Sequence, residues 1–211
     1  MARNGSPFYR VCKRGFDIVF SACVLVAAAV PGAVLALMVC AESPGGPMFR
    51  QSRVGRGGRE IRIWKLRSMY ADAHEHPERY LDEGQMAQWE REQKVDGDPR
   101  VTRIGRFIRK TSLDEVPQFI NVLAGDMSVI GPRPVTMEET YEFGADRDEV
   151  LSVRPGITGW WQVSARNEAT WADGTRQALE LEYVRNQGFE MDARCFFGTF
   201  GVMFGRSKTG R

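Results

Sequence analysis

One apolar stretch near the N-terminus constrains this chain more than any other feature. No charged residue occurs between Asp17 and Glu42, so residues 18–41 are a run of 24 uncharged residues, most of them Val, Ala and Leu. About 20 apolar residues are enough to cross the hydrocarbon core of a bilayer as a helix. A secretory signal has a shorter apolar part and a cleavage site of small residues, which this stretch lacks. We therefore expect a membrane-embedded helix over residues 15–41.

Pro31 lies near the middle of this stretch. A proline inside a helix removes a backbone hydrogen bond and clashes with the preceding turn, so we expect the helix to bend or break at Pro31. The basic residues before and after the stretch balance, four against four, so the positive-inside rule selects neither orientation. They are Arg3, Arg10, Lys13 and Arg14 before it, and Arg50, Arg53, Arg56 and Arg59 after it. We favour a re-entrant helix, which keeps both flanks in the cytoplasm, over a straight span; its length disfavours a buried core helix.

The composition excludes several classes of protein. The 211 residues carry 29 Lys and Arg against 27 Asp and Glu, a net charge of +2, and the mean hydropathy is −0.35. A polytopic membrane protein would be more apolar, and a uniformly basic nucleic-acid coat protein would carry a larger positive charge. A polybasic nucleic-acid binder at the membrane is left as a third option. The four cysteines show no C-x-x-C spacing, so neither a disulfide framework nor a zinc site is indicated.

We expect a helix-rich α+β fold in three parts: a basic lead-in over 1–14, the re-entrant helix over 15–41, and a cytoplasmic core with interfacial helices over 42–211. Residues 49–54 and 60–67 flank a Gly-rich turn, which predicts a β-hairpin. Apolar residues at helical spacing predict helices near 101–109, 116–123 and 175–186. Segments 127–135 and 152–163 are typical of strands and turns. The aromatic tail over 195–204 is typical either of a core helix or of a helix lying at the bilayer interface.

A basic patch follows the membrane segment, with seven cations in 18 positions and only Glu60 opposing them. They are Arg50, Arg53, Arg56, Arg59, Arg62, Lys65 and Arg67. Such a patch suits anionic headgroups or a phosphate-bearing substrate. For most of these residues a solvated surface is the simpler interpretation, and no nucleic-acid recognition motif accompanies them.

The most reactive arrangement of side chains is the adjacent pair Asp114 and Glu115, which follows a run of cations. Ser112 and Glu115 fit a capping box, but Pro117 would then clash inside the helix. With Asp114 as the cap, Pro117 falls in the first turn, where proline is tolerated. Alternatively, one carboxylate attacks phosphorus as a nucleophile and its neighbour holds Mg²⁺. The residues alone leave capping and catalysis both open.

Several motifs together resemble the monotopic phosphoglycosyl transferases, the bacterial sugar transferase superfamily, in their small single-core form. The matching segments are 13–17, 49–55, 64–69, 109–118, 121–134 (NVLAGDMSVIGPRP) and 154–167 (RPGITGWWQVSARN), in order along nearly the whole chain. The chain departs from the family at the helix break, which is Val30-Pro31 instead of Ser-Pro. It also has Glu180 where the family often has Asp, and Ser164-Ala165 where Asn-Gly or Ser-Gly is commoner.

The resemblance implies a reaction at the cytoplasmic face of the bacterial inner membrane. A sugar-1-phosphate passes from a UDP-sugar to polyprenyl (undecaprenyl) phosphate, with release of UMP. Asp114 would be the nucleophile that forms a covalent aspartyl-phosphosugar, and Glu115 would bind Mg²⁺. Both are the expected catalytic residues. The expected substrate-binding residues are Lys65, Arg67, Arg109, Arg133, Arg154, Gln162, Arg166, Asn167 and Glu180.

The same resemblance sets expectations about substrates and partners. The acidic segment over 75–98 resembles members that make exopolysaccharide or O-antigen, which favours galactose or glucose over an N-acetylated sugar. Downstream glycosyltransferases and membrane lipids are the implied partners, a homodimer is allowed, and nucleic acid is not expected. The competing class is a non-catalytic scaffold that binds anionic lipid, which would tolerate Asp114→Asn.

Overall fold

A computed structural model describes residues 5–92, 95–165 and 169–204. The protein is helix-rich with two small two-stranded sheets, in agreement with the expected class. In chain order the elements are α1 (Pro7–Glu42), β1 (Met48–Val54), β2 (Glu60–Leu66), α2 (Glu83–Glu92), α3 (Arg103–Lys110), α4 (Gln118–Ala124), β3 (Ser128–Ile130), α5 (Arg147–Val150), β4 (Gly156–Thr158), α6 (Trp160–Ser164), α7 (Thr175–Arg185) and α8 (Phe189–Phe204). The predicted hairpin is present, since β1 and β2 pair across a five-residue connection.

Helix α1 is longer than expected and is not interrupted at Pro31. It begins at Pro7, inside the stretch expected to be a lead-in, and ends at Glu42, with Pro31 in its interior. Proline removes one hydrogen bond of the helix, and the bonds on either side can carry the helix past it. The helix is therefore continuous at Pro31, and of the two expected outcomes a break is not present. Its most apolar window has a mean hydropathy of 2.6 and is almost entirely unburied, so by length and composition it can cross a membrane.

The described residues group into two compact units. The first unit holds the described residues of Met1–Val26, Arg50–Trp64 and Pro117–Ser207. The second unit holds those of Ala27–Phe49 and Lys65–Val116. The division falls inside α1 and inside both strands of the first sheet.

The first unit packs around the parallel pair β3 and β4, in which Ser128 lies opposite Gly156. Its buried core includes Val54, Ile61, Ile63, Val122, Met127, Tyr183 and Val184. The N-terminal half of α1 is tied to this core by Asp17. The Asp17 carboxylate is buried and accepts hydrogen bonds from the Ser128 hydroxyl at 3.0 Å and the Val129 N–H at 2.9 Å. These bonds satisfy a buried charge.

The aromatic tail packs in part against the core, which is one of the two interpretations that the sequence left open. Phe196 of α8 packs edge-on against Phe16 and Phe20 of α1, within the first unit. Phe197 and Phe200 of the same helix are exposed. One face of α8 therefore belongs to the core, and another presents aromatic rings outward.

The second unit has a smaller core, which packs α3 against the C-terminal half of α1. Val39, Leu66 and Ile108 are its buried residues. It contains the carboxylate pair.

Candidate active site

The carboxylate pair lies on a short 3-10 turn, Leu113–Glu115, that follows α3. Helix α4 begins only at Gln118, with Pro117 at its N-cap position and no side-chain cap. Both capping registers suggested by the sequence are therefore wrong, because neither Ser112 nor Asp114 caps α4. The carboxylates of Asp114 and Glu115 are therefore not used to cap α4.

The backbone just before the pair is strained. Ser112 has a φ of 56° and is left-handed, and it is the one non-glycine residue with positive φ among the described residues. An L-residue in this conformation costs about 1 kcal/mol. The turn is held by hydrogen bonds at 3.2 Å from the Ser112 N–H to the Arg109 carbonyl and from the Glu115 N–H to the Ser112 carbonyl. Strain of this kind concentrates at functional sites. A serine at position 112 does not indicate this backbone strain in the sequence.

Lys65 lies against both carboxylates. Its Nζ is 3.5 Å from Glu115 Oε1 and 3.9 Å from Asp114 Oδ2, and the side chains of Lys65 and Asp114 are each only 16% exposed. Burial and the neighbouring charge of Glu115 raise the pKa of the Asp114 carboxyl, while Lys65 and Arg109 oppose this rise. The structure thus brings Lys65, Arg109, Asp114 and Glu115 together, as the sequence predicted.

Arg109 is anchored by a residue that the sequence analysis did not single out. Its Nε donates to the Ser68 hydroxyl at 2.8 Å. Helix α3 lies directly on the Ser68 backbone, because a Cβ at Gly105 would come within 1.9 Å of the Ser68 carbonyl oxygen. A single serine inside a basic run gives no sequence signal for this role.

The N-terminus of α3 is fixed by the end of helix α1. The Glu42 carboxylate accepts the N–H groups of Arg103 at 2.7 Å and Ile104 at 2.8 Å. Thr102 caps the helix by accepting the Gly105 N–H at 2.9 Å. A carboxylate at this position satisfies free N–H groups and complements the helix dipole. The helix that carries Arg109 is therefore attached to the last residue of α1.

Arg67 differs from the other expected binding residues because its guanidinium is fully used within the protein. All five of its N–H donors reach the loop after α1, at distances of 2.8 to 3.2 Å. The acceptors are the Ser43 hydroxyl and the carbonyl oxygens of Ser43, Pro44, Gly45 and Gly46. The side chain is buried. In this geometry Arg67 holds a loop and offers no donor to a substrate.

Arg133 and Glu180 meet in the first unit. The backbone N–H of Arg133 is 3.2 Å from both carboxylate oxygens of Glu180, which is fully buried. Burial raises the pKa of Glu180 to about 7, although Arg133 and Arg176 favour its charged form. Glu180 therefore holds the backbone of the Gly-Pro-Arg-Pro segment.

The remaining expected residues have different surroundings. Arg154 donates from Nε to the Gly125 carbonyl at 2.8 Å, and Gln162 donates to the Ile157 carbonyl at 2.8 Å, both within the first unit. Arg166 and Asn167 lie outside the described residues. Arg53 and Arg176 were not among the expected binding residues. Arg176 and Arg133 lie over the same Trp161 ring, and the charge of Arg133 lowers the pKa of both Arg53 and Arg176.

The carboxylate pair has a chemistry that fits Mg²⁺. The described residues contain no group of three or more His, Cys, Asp or Glu side chains placed to bind a metal. Mg²⁺ does not need one, since it commonly binds through one or two carboxylates together with waters and substrate phosphates. Glu115 is 24% exposed and lies beside a second carboxylate, so its oxygens can reach such an ion.

Comparison with known proteins identifies the family. The family model described as Bacterial sugar transferase matches residues 8–206. The UDP-galactose-lipid carrier transferase of Erwinia amylovora is 40% identical over 208 residues, which are 98% of this chain and 42% of that protein. The UDP-N-acetylgalactosamine-undecaprenyl-phosphate N-acetylgalactosaminephosphotransferase of Aeromonas hydrophila is 41% identical over 201 residues, covering 92% of this chain and 44% of that protein.

A shorter relative is covered much more completely. The exopolysaccharide production protein ExoY of Sinorhizobium fredii is 34% identical over 196 residues, covering 92% of this chain and 85% of that protein. The chain thus spans less than half the length of the two longer relatives and most of the shorter one. Because the family match extends over almost the entire sequence, the chain belongs to the bacterial sugar transferase family.

Proposed function

We propose that this protein is a phosphoglycosyl transferase that moves a sugar-1-phosphate from a UDP-sugar to polyprenyl (undecaprenyl) phosphate and releases UMP. The observation that carries the proposal is the Asp114–Glu115 pair on its strained turn, with Lys65 within 3.9 Å of both carboxylates. Family membership and the names of the relatives support the reaction class.

In the first step an oxygen of the Asp114 carboxylate attacks the phosphorus that bears the sugar. A P–O bond to Asp114 forms as the bond between this phosphorus and the bridging oxygen breaks. The electron pair leaves with UMP, and the sugar phosphate stays on Asp114 as an acyl phosphate. Attack requires the ionised carboxylate, which Lys65 and Arg109 favour.

In the second step an oxygen of polyprenyl phosphate attacks the same phosphorus. The P–O bond to Asp114 breaks, the carboxylate is restored, and polyprenyl-diphosphate-sugar leaves. Lys65 and Arg109 are placed to bind phosphate oxygens in both steps. Glu115 would hold Mg²⁺, which when bound neutralises the diphosphate and the charge of the leaving group.

The membrane placement belongs to the same proposal. Helix α1 would enter the cytoplasmic leaflet of the inner membrane and return, so that a water-soluble donor and a lipid acceptor meet at the interface. We propose galactose or glucose as the sugar, for the first membrane step of exopolysaccharide or O-antigen-type assembly. Downstream glycosyltransferases would consume the product. The alternative donor is an N-acetylated sugar, such as the one named for the Aeromonas hydrophila relative.

The experiment that tests this function measures UMP release from a panel of UDP-sugars. Detergent-purified protein is supplied with Mg²⁺ and undecaprenyl phosphate, in parallel with Asp114→Asn. We expect lipid-dependent release from one hexose donor and a loss of at least about a thousandfold in the variant, because the nucleophile is removed. Without lipid, the wild-type protein should gain the mass of one sugar phosphate.

The variant separates the competing explanations. A non-catalytic lipid-binding scaffold would show no turnover with any donor and no mass gain. Equal activity of Asp114→Asn and wild type would show that Asp114 is not the nucleophile, and the two-step mechanism would then be wrong.

A further inference from the structure

Three arginines converge in the first unit. Arg53 lies near the end of β1, next to Val54, whose N–H donates to the Val135 carbonyl at 2.8 Å. This bond places the end of β1 beside the segment that carries Arg133. Arg176 lies on α7, one turn before Glu180, which holds the Arg133 backbone. Burial lowers the pKa of both Arg53 and Arg176. The charge of Arg133 lowers both further, while Glu139 opposes this change in both. We call Arg53, Arg133 and Arg176 the arginine cluster.

Trp161 lies against this cluster. The guanidinium carbon of Arg176 is 4.4 Å from the centre of the Trp161 ring, and that of Arg133 is 5.7 Å from it. Trp161 itself is only 8% exposed, and within the described residues its indole N–H has no hydrogen-bond partner. A buried aromatic ring holds two cations in place by cation–π attraction without neutralising their charge.

The carboxylates nearby balance the cluster only in part. Glu138 and Glu139 favour the charged form of Arg53. Glu139 Oε1 is 3.9 Å from Arg176, at the limit of an ion pair. Both oxygens of Glu180 are directed at a backbone N–H, and burial raises the pKa of its carboxyl to about 7. Among the described residues, no carboxylate forms an ion pair with the Arg133 guanidinium, and the buried Nε of Arg176 has no hydrogen-bond partner. Unpaired buried donors and uncompensated cations favour an anionic ligand with several acceptor oxygens.

We propose that Arg53, Arg133 and Arg176 form a phosphate-binding site, in which Arg53 and Arg176 bind phosphate oxygens together with Arg133. The ligand class is a phosphate ester or diphosphate. Only the source of the phosphate rests on the proposed function: it is the diphosphate of the UDP-sugar or the phosphate of the polyprenyl acceptor. The existence of the site is argued only from contacts within the first unit.

The test begins with direct binding to the full-length protein in detergent, which needs no turnover. Inorganic pyrophosphate, UMP and undecaprenyl phosphate are titrated separately, and the thermal stabilisation of wild type, Arg176→Gln and Arg53→Gln is compared. A lost charge-assisted hydrogen bond should weaken binding of at least one ligand by about tenfold in each variant. Arg185→Gln is the matched control, because Arg185 lies on the same helix but pairs with Glu149 and Asp146. It should bind like wild type.

Kinetics then identify the source of the phosphate. A raised KM for the UDP-sugar alone assigns the site to the nucleotide donor, and a raised KM for undecaprenyl phosphate alone assigns it to the lipid acceptor. Arg176→Lys should recover part of the loss, since it restores the charge without the forked donors. The proposal is overturned if wild type binds none of the three ligands, or if Arg176→Gln and Arg53→Gln bind all three as wild type does. If instead binding follows the prediction but no donor turns over, only the proposed function fails.

Discussion

Asp114 is subject to opposing influences at the scale of single residues. Burial and the adjacent Glu115 raise the pKa of its carboxyl, while Lys65 and Arg109 lower it, and the net effect is a pKa above the ordinary aspartate value. A nucleophilic carboxylate must be ionised, so the cations decide how much of the enzyme is ready to react at a given pH. Substitution of Lys65 tests this balance directly, since its Nζ lies within 3.9 Å of both carboxylates.

We expect Lys65→Met to move the acidic limb of the kcat/KM profile to higher pH. Removing a cation that lowers the pKa of Asp114 leaves this pKa higher, so fewer molecules are ionised at each acidic pH. The position of the limb, and not the height of the profile, is the measurement. Lys110→Met removes the same charge from an exposed site on α3 and should leave the limb unmoved. A limb that moves to lower pH in Lys65→Met would contradict this account.

At the scale of elements, α3 is fixed at both ends. Glu42 and Thr102 satisfy the N–H groups of its first turn, and Ser68 receives the Nε of Arg109 near its last. Gly105, in the same first turn, rests on the Ser68 backbone, where only glycine fits. These contacts explain how an eight-residue helix, too short to be stable alone, can place Arg109 reproducibly.

Gly105→Ala should lower both stability and activity. The added methyl would overlap the Ser68 carbonyl oxygen, so α3 must shift, at a cost of about 2 kcal/mol or more. Thermal unfolding in detergent and the rate of UMP release measure the two effects. Gly15→Ala is the control, because nothing lies within 4 Å of its added Cβ and alanine favours a helix. Equal unfolding temperatures for Gly105→Ala and wild type would show that the close packing at Gly105 is unimportant.

At the scale of the whole molecule, α1 determines where the protein can reside. Its apolar part is almost entirely unburied by the protein itself, so a lipid environment is the natural partner for it. Because α1 is continuous through Pro31, the proposed re-entrant path requires the helix to bend and not to break.

Labelling of single cysteines in membranes should distinguish a re-entrant helix from a spanning one. We expect Cys12, and separately Arg50→Cys, to react with a membrane-impermeant maleimide in inside-out vesicles and not in intact spheroplasts. The other cysteines are replaced in each case. A re-entrant helix places both flanks in the cytoplasm, whereas a spanning helix would label the two sites from opposite sides. Opposite labelling would rule out the re-entrant path.

The sequence by itself determined what depends on local pattern. The uncharged run predicted a long apolar helix, the Gly-rich turn predicted the hairpin, and successive motifs predicted the family. Lys65 and Arg109 were also expected beside Asp114, and they lie there. The length of an apolar stretch, the residue types of a turn and the order of motifs are properties of the sequence itself. They can therefore be recognised without a structure.

Only the tertiary structure decided which partners distant residues meet. Arg67 and Arg176 are both basic residues in the sequence, yet their surroundings differ. Backbone carbonyls surround Arg67, whereas the buried Nε of Arg176 has no hydrogen-bond partner in the part of the chain that the structure describes. Ser68 and Glu42 acquire their roles from α3, which follows them by tens of residues. Side-chain type sets what a residue can donate or accept. Packing brings the partner within hydrogen-bonding distance, and no local pattern encodes that distance.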